Sequence, residues 1–281
     1  MRALVLTPAE GYPHDHHWAF DAQAAALAEA GVAVDARPWT DAGALGAHDV
    51  VLPMVAWGYH ERPDAWHALL DRLEREARAV LNPVATLRWN SDKAYLEQLT
   101  AAGVHTIPTR AIAAIDEAAL EAARAELGDQ LVIKPPVSAG AFGTHRLGPG
   151  DPLPDSARGK PTLVQPYLRS VTDEGEYSLL FFGGRFSHAL VKTPAAGDYR
   201  VQPQFGGREQ ATVSPDGAVA LAEAALAAAP EPPAYARVDL LRDNDGALAI
   251  VELELIEPAL WLELAPDRGA SFATAIVERA G

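Results

Sequence analysis

From residue 1 to 85 the chain alternates apolar strand-like runs with helical patterns: RALVLT, the Ala-rich stretch from Trp18 to Ala30, VAVDARP, DVVLPM, the stretch from Asp64 to Ala79, and AVLNP. Strands separated by helix-length segments cannot close as tight hairpins and pair in parallel instead, so this part predicts a small open α/β domain. Its first strand runs into PAEGYPHDHH without a G-x-G-x-x-G, and no G-x-x-x-x-G-K-[ST] occurs in the chain. Neither common nucleotide fingerprint is present, which disfavours a dinucleotide fold.

The texture changes from Asn90. SDKAYLEQLTAAG reads as a helix with Ser91 as its N-cap and Gly103 at its end. VHTIPT is strand-like, Asp116 to Leu127 is helical, and LVIKP is strand-like again. Residues 137 to 160, rich in Gly, Pro and Ser, read as loop; PTLVQPYL is a strand leading into a polar linker that reads as a hinge. EYSLLFF, Gly183-Gly184 and RFSHALVK then form a hairpin, because paired glycines supply the positive φ angles of a tight turn. After an Ala-rich helix from about Asp216 to Ala229, YARVDLL, the turn DNDG and ALAIVELELIEP make a second antiparallel hairpin. The expected class is α/β, α+β in its C-terminal part, divided into 1–85, 86–165 and 166–281.

Lys and Arg number 23 against 38 for Asp and Glu, so the net charge of −15 repels a phosphate backbone and nucleic acid is not an expected partner. The chain has no cysteine, which excludes disulfides, thiolate metal sites and a cysteine nucleophile. No apolar run approaches the ~20 residues of a membrane span. The expectation is a cytoplasmic protein with no membrane partner; oligomeric state stays open, a homodimer included.

The run VELELIEPAL places Glu252 and Glu254 two residues apart in an apolar strand. Alternation alone would put them in water, with Val251, Leu253 and Leu255 facing the core. With DNDG as a four-residue loop, Arg242 pairs with Ala247 and Asp239 lies opposite Ile250, on the face shared by Glu252 and Glu254. Three carboxylates on one face repel each other unless cations relieve them, and Mg²⁺ prefers hard oxygen ligands shared with substrate phosphates. An exposed acidic face is the alternative.

Lys134 ends the apolar strand LVIK, just before Pro135-Pro136 and the small-residue loop SAGAFGT, where backbone N–H groups can approach an anion. Lys93 reads as first-turn helical, where its charge opposes the helix dipole unless an anion is bound. Either lysine could equally be a solvated surface charge.

The ordered set Lys93, Lys134 in VIKP, QPYL at 165–168, Gly175-Glu176, Arg200 before Gly206-Gly207, Asp239 and Glu252-x-Glu254 resembles the ATP-grasp superfamily over about residues 86 to 281. Pro258, six residues after Glu252, resembles the glutathione synthetase branch, which has Glu-x-Asn where this chain has Glu-x-Glu. NPVATLRWNSDKAYL, DYRVQPQFGG and VELELIEPALWLEL look most like the small ligases that include the D-cycloserine-forming enzyme of antibiotic biosynthesis.

The resemblance implies ATP with Mg²⁺, or Mn²⁺ in its place. It assigns Lys93 and Lys134 to the phosphates, the backbone from Gln165 through Tyr167 to Leu168 to adenine, and Glu176 to the ribose hydroxyls. Asp239, Glu252 and Glu254 would hold the metal. Arg200 would face the γ-phosphate or an acyl phosphate, and Lys192 is a further phosphate candidate whose alternative is a strand-end surface charge. Where related enzymes carry a second basic residue after the ribose carboxylate, this chain has Tyr177 and Ser178.

Such ligases convert a carboxylate to an acyl phosphate that an amine attacks. The expected substrate is a small amino-acid-like molecule, held near the carboxyl ends of the N-terminal strands. Those ends are YPHDHHW and WGYHERP, so His14 and Asp15, with plain loop as the alternative, and Trp57 and Tyr59 with His60, with local packing as the alternative, are the candidate contacts; adjacent residues in a loop seldom converge on one metal ion. A small-molecule kinase on the same nucleotide site, or a non-catalytic ATP-binding protein, are the other readings.

Overall fold

The computed structural model describes residues 1–281. The N-terminal elements are β1 (Arg2–Thr7), α1 (His17–Glu29), β2 (Ala33–Pro38), β3 (Val50–Leu52) and α2 (Pro63–Glu76). β1 lies between β2 and β3, parallel to both. Residues Ala3 to Thr7 are all buried, as a central strand covered on both faces requires. AVLNP adds no fourth strand; it contributes a single parallel bridge, Val80 to Val51.

The middle of the chain supplies α3 (Val84–Asn90), α4 (Tyr95–Ala101), β4 (Arg110–Ile112), α5 (Glu117–Leu127), β5 (Leu131–Lys134), β6 (His145–Leu147) and β7 (Thr162–Pro166). The four strands form an antiparallel sheet in the order β4-β7-β5-β6. Asp116 caps α5, its Oδ1 accepting from Ala119 N–H at 2.8 Å. Ser91 does not cap a helix start. Its hydroxyl is engaged with Trp66 Nε1 and the Leu87 carbonyl, so it closes α3, and Lys93 sits in the turn ahead of α4. VHTIPT makes only the bridge Thr106 to Ile250, the strand itself falling at Arg110–Ile112, and the glycine-rich loop contains β6.

The C-terminal elements are α6 (Ser170–Asp173), β8 (Glu176–Phe182), β9 (Arg185–Thr193), β10 (Arg208–Thr212), α7 (Ala218–Ala227), β11 (Tyr235–Arg242), β12 (Leu248–Glu254) and α8 (Ala270–Ala280). Their antiparallel sheet runs β10-β9-β8-β11-β12. Gly183 and Gly184, at φ 58° and 80°, turn β8 into β9 as the paired glycines require. The polar linker is the short helix α6, pinned where Ser170 Oγ donates to the Arg242 carbonyl at 2.6 Å. One apolar core joins β1, β3 and α1 to β8, β9 and α8, including Leu52, Leu27, Phe182 and Phe272. The first and last parts of the chain are thereby packed together. No helix is long and apolar enough to cross a membrane.

Candidate active site

The three sheets meet around a cavity of about 660 Å³. All the residues singled out above for nucleotide, phosphate and metal line it, as do His14, Asp15 and Trp57 from the N-terminal side. Tyr59 does not. It is buried against Trp66, ring centroids 5.0 Å apart, because an apolar core lies directly beneath its loop. His60 is likewise off the cavity, its ring against Phe142.

Hairpin geometry sets the carboxylates. Asp243 N–H donates to the Ala247 carbonyl at 2.8 Å, and Gly246 at φ 88° completes a three-residue loop, so Arg242 faces Leu248 and not Ala247. A bulge then inserts one more residue, and Asp239 faces Glu252 and not Ile250. The expected register is therefore wrong by two residues, one from the loop and one from the bulge. An even error preserves the face, and Asp239, Glu252 and Glu254 still share it.

Each carboxylate is held by a cation of the chain itself. Lys93 Nζ lies 3.0 Å from Glu252 Oε1 and also donates to the Ser138 carbonyl. Lys192, which is 6% exposed and so not a surface charge, lies 2.5 Å from Glu176 and 3.3 Å from Asp239. Gly175 makes that contact possible: its φ is 97°, and a Cβ there would stand 2.8 Å from the Lys192 carbonyl. Ser178 Oγ donates to Asp239 at 2.5 Å. Arg237, passed over in the sequence, donates through Nε to Asp239 Oδ1 at 3.0 Å and through Nη2 to Asp239 Oδ2 at 2.9 Å and to Glu254. Its signal was available, since it precedes Asp239 by two and shares its face.

Two half-buried ionisable groups at the cavity, Lys134 and Glu257, have no side-chain partner in the chain. Lys134 makes no ion pair, and burial lowers its pKa despite the attraction of Glu252. The Glu257 carboxylate, also missed from sequence, has no hydrogen bond or ion pair, and burial with Glu254 pushes it up to about 8. Arg200 is committed locally, forked on Asp198 at 2.8 and 3.1 Å and stacked 3.7 Å over Phe205. Along the segment expected to face adenine, Gln165 Nε2 donates to Thr109 Oγ1 and Tyr167 N–H to the Gln130 carbonyl, whereas Leu168 N–H donates to no group of the chain.

Burial opposes ionisation of Asp239, but Arg237 and Lys192 outweigh it and hold its pKa at about 2. At Glu254 burial wins over Arg237, reinforced by Glu252 and Asp239, and the pKa rises to about 7. A carboxyl whose folded pKa exceeds its unfolded value is ionised first in the unfolded chain. Stability from Glu254 is thus fully present below about pH 4.5 and lost as pH rises toward 7, by up to about 3 kcal/mol. Glu254→Gln lacks this loss, so the variant should gain stability relative to the parent between about pH 5 and 8. Paired urea titrations at both ends of that window check it; a constant difference would place Glu254 in an ordinary solvated setting.

A family described as D-cycloserine synthetase DcsG, N-terminal domain, matches residues 3–82. The cycloserine biosynthesis protein DcsG of Streptomyces lavendulae is 32% identical over 269 residues, 89% of each chain. The chain belongs to the D-cycloserine synthetase family. The crystal structure of D-cycloserine synthetase DcsG superposes with a TM-score of 0.88 at 30% identity, covering all of both chains. The D-alanine–D-alanine ligase of Bacillus anthracis, at 14% identity, shares the fold over 99% of this chain and 96% of its own, with a TM-score of 0.72. This member of the D-cycloserine synthetase family is therefore an ATP-grasp ligase, an enzyme of the carboxylate–amine type that its sequence resembles.

Proposed function

We propose that the protein uses ATP to convert the carboxylate of a small amino-acid-like substrate to an acyl phosphate, which a nitrogen of the same molecule attacks to close a ring, as D-cycloserine formation requires. The observation that carries this reading is the pair of unpartnered ionisable groups on one cavity, a lysine and a carboxyl that gives up its proton readily only beside a cation. Lys134 offers a half-buried cation to phosphate, and Glu257 offers a carboxyl beside Trp57, whose Nε1 donates to the Glu257 carbonyl at 3.1 Å. An anion at one end and an ammonium-bearing molecule at the other would complete both.

In this scheme Lys93, Lys134 and Lys192 hold phosphate oxygens, Glu176 the ribose, and the free N–H of Leu168 the adenine, between Gln165 and Tyr167. Arg237 faces the transferring phosphoryl group, where its fork matches the developing charge. Arg200 would join it from its loop by exchanging Asp198 for phosphate. His14, Asp15 and Trp57 line the substrate end.

Asp239, Glu252 and Glu254 are oxygen-only donors on one face, which suits Mg²⁺ and also Mn²⁺. The raised pKa of Glu254 fits a group short of positive charge. As they stand, no three acidic or imidazole side chains are drawn together as a metal cluster, because Arg237 and Lys93 occupy the carboxylates. A bound ion would neutralise phosphate charge during transfer. The division at about 85 and 165 assigns substrate to the first part and nucleotide to the cleft between the other two.

The test is positional labelling. With ¹⁸O in the substrate carboxylate, one labelled oxygen should appear in the released phosphate, because that oxygen attacks the γ-phosphorus and departs with it. Unlabelled phosphate from a productive turnover would exclude the acyl phosphate, and a stable phosphorylated product with no free phosphate would favour a kinase.

A further inference from the structure

β12 is an edge strand, with β11 on one side and no strand on the other. Its free side is nonetheless hydrogen-bonded. Ahead of the bulge, Ile250 accepts from Ile107 N–H at 2.9 Å and donates to the His105 carbonyl at 3.0 Å. The inserted residue rephases the strand, so that beyond it the outward backbone groups belong to Leu253 and Leu255. Side chains meet them there. The Tyr95 hydroxyl accepts from Leu253 N–H at 2.7 Å and donates to its carbonyl at 3.0 Å. Asn90 Oδ1 accepts from Leu255 N–H at 2.9 Å, and its Nδ2 donates to the Leu253 carbonyl at 2.9 Å. Tyr95 and Asn90 are 1% and 5% exposed.

Leu253 and Leu255 alternate with Glu252 and Glu254, so these contacts fix the backbone on either side of the second carboxylate and just after the first. Lys93, on the same short segment, reaches Glu252 directly. We propose that Asn90 and Tyr95 are positioning residues for the carboxylate pair, acting as a surrogate neighbour strand that sets the spacing of Glu252 and Glu254 toward a divalent metal ion. The inference rests on the metal role proposed above. Groups that orient metal ligands commonly change metal affinity by about 10- to 100-fold when removed.

Mn²⁺ is the probe, titrated into the full chain with a stoichiometric non-hydrolysable ATP analogue and followed by water-proton relaxation. Tyr95→Phe keeps the ring in the core and removes only the hydroxyl. Its Mn²⁺ dissociation constant should rise about 10-fold or more. Ile115→Val, in a separate core under α5, should lower the melting temperature without that change. Asn90→Ala reads the adjoining contact by the same measurement should Tyr95→Phe not fold. Parent-like Mn²⁺ affinity in the Tyr95 and Asn90 variants, with lower melting temperature alone, overturns the proposal. Glu252→Gln separates the two levels: if it too binds Mn²⁺ like the parent, the metal role falls and the positioning role with it. If only Glu252→Gln loses Mn²⁺, positioning alone is wrong.

Discussion

Glu252→Gln is expected to lower turnover at least about 10²-fold, the scale of losing one electrostatic stabiliser aimed at a transferring group, while the protein stays folded. The substitution keeps the shape of the side chain and an oxygen that can still accept from Lys93, whose other contact, the Ser138 carbonyl, is untouched. What it removes is a charge. Lys93 and Lys134 outweigh burial at Glu252 and lower its pKa, so the parent carries a full negative charge there at neutral pH. Steady-state kinetics with saturating ATP and metal measure the loss, and thermal melting confirms the fold. A solvated strand glutamate would predict a stability change within roughly 0.5 kcal/mol and unaltered turnover. A fully active variant would return Glu252 to that plain role.

The alternation in VELELIEP was enough to put Glu252 and Glu254 on one face, but not enough to say which face was wet. That answer depends on Lys93, which reaches Glu252 from a turn far earlier in the chain that no local pattern links to the strand, and on Arg237 of the partner strand. The register was misjudged by two because neither the three-residue loop nor the bulge leaves a strong mark in DNDGALAIVEL; the face survived because the errors summed to an even number. Ser91 shows the converse failure. Ser before an apolar helix is a good capping signal, yet its hydroxyl was claimed by Trp66, 25 residues away in sequence, a tertiary bond that local propensity does not see. Tyr59 failed for the same reason, its ring drawn into the core with Trp66. Arg237 and Glu257 do carry a local mark, one by period two from Asp239 and one by its place before Pro258, but it is the same mark that ordinary strand and loop residues carry.

Arg237→Met should have two separable effects. Methionine is apolar and of similar length, so it fills the space, but it leaves Asp239 and Glu254 without the guanidinium that bridges them. Removing one member of a buried charge pair typically costs about 3 to 5 kcal/mol, and Asp239 retains Lys192 and Ser178 as partial compensation. Glu254, already at about 7, loses its main stabilising cation and takes up a proton at neutral pH. Turnover should fall by roughly 10² to 10³ if Arg237 stabilises the transferring phosphoryl group. Stability loss alone could lower activity, so Arg237→Lys is the deciding companion. Lysine restores the positive charge and much of the stability, but offers a point charge where a planar fork held two carboxylates and would meet a phosphoryl group. The expected outcome is a Lys variant with melting close to the parent and turnover still depressed, measured well below its melting temperature. Parent-like turnover in Arg237→Lys would reduce Arg237 to a structural counter-ion and leave Arg200, freed from Asp198, as the guanidinium that must reach the phosphate.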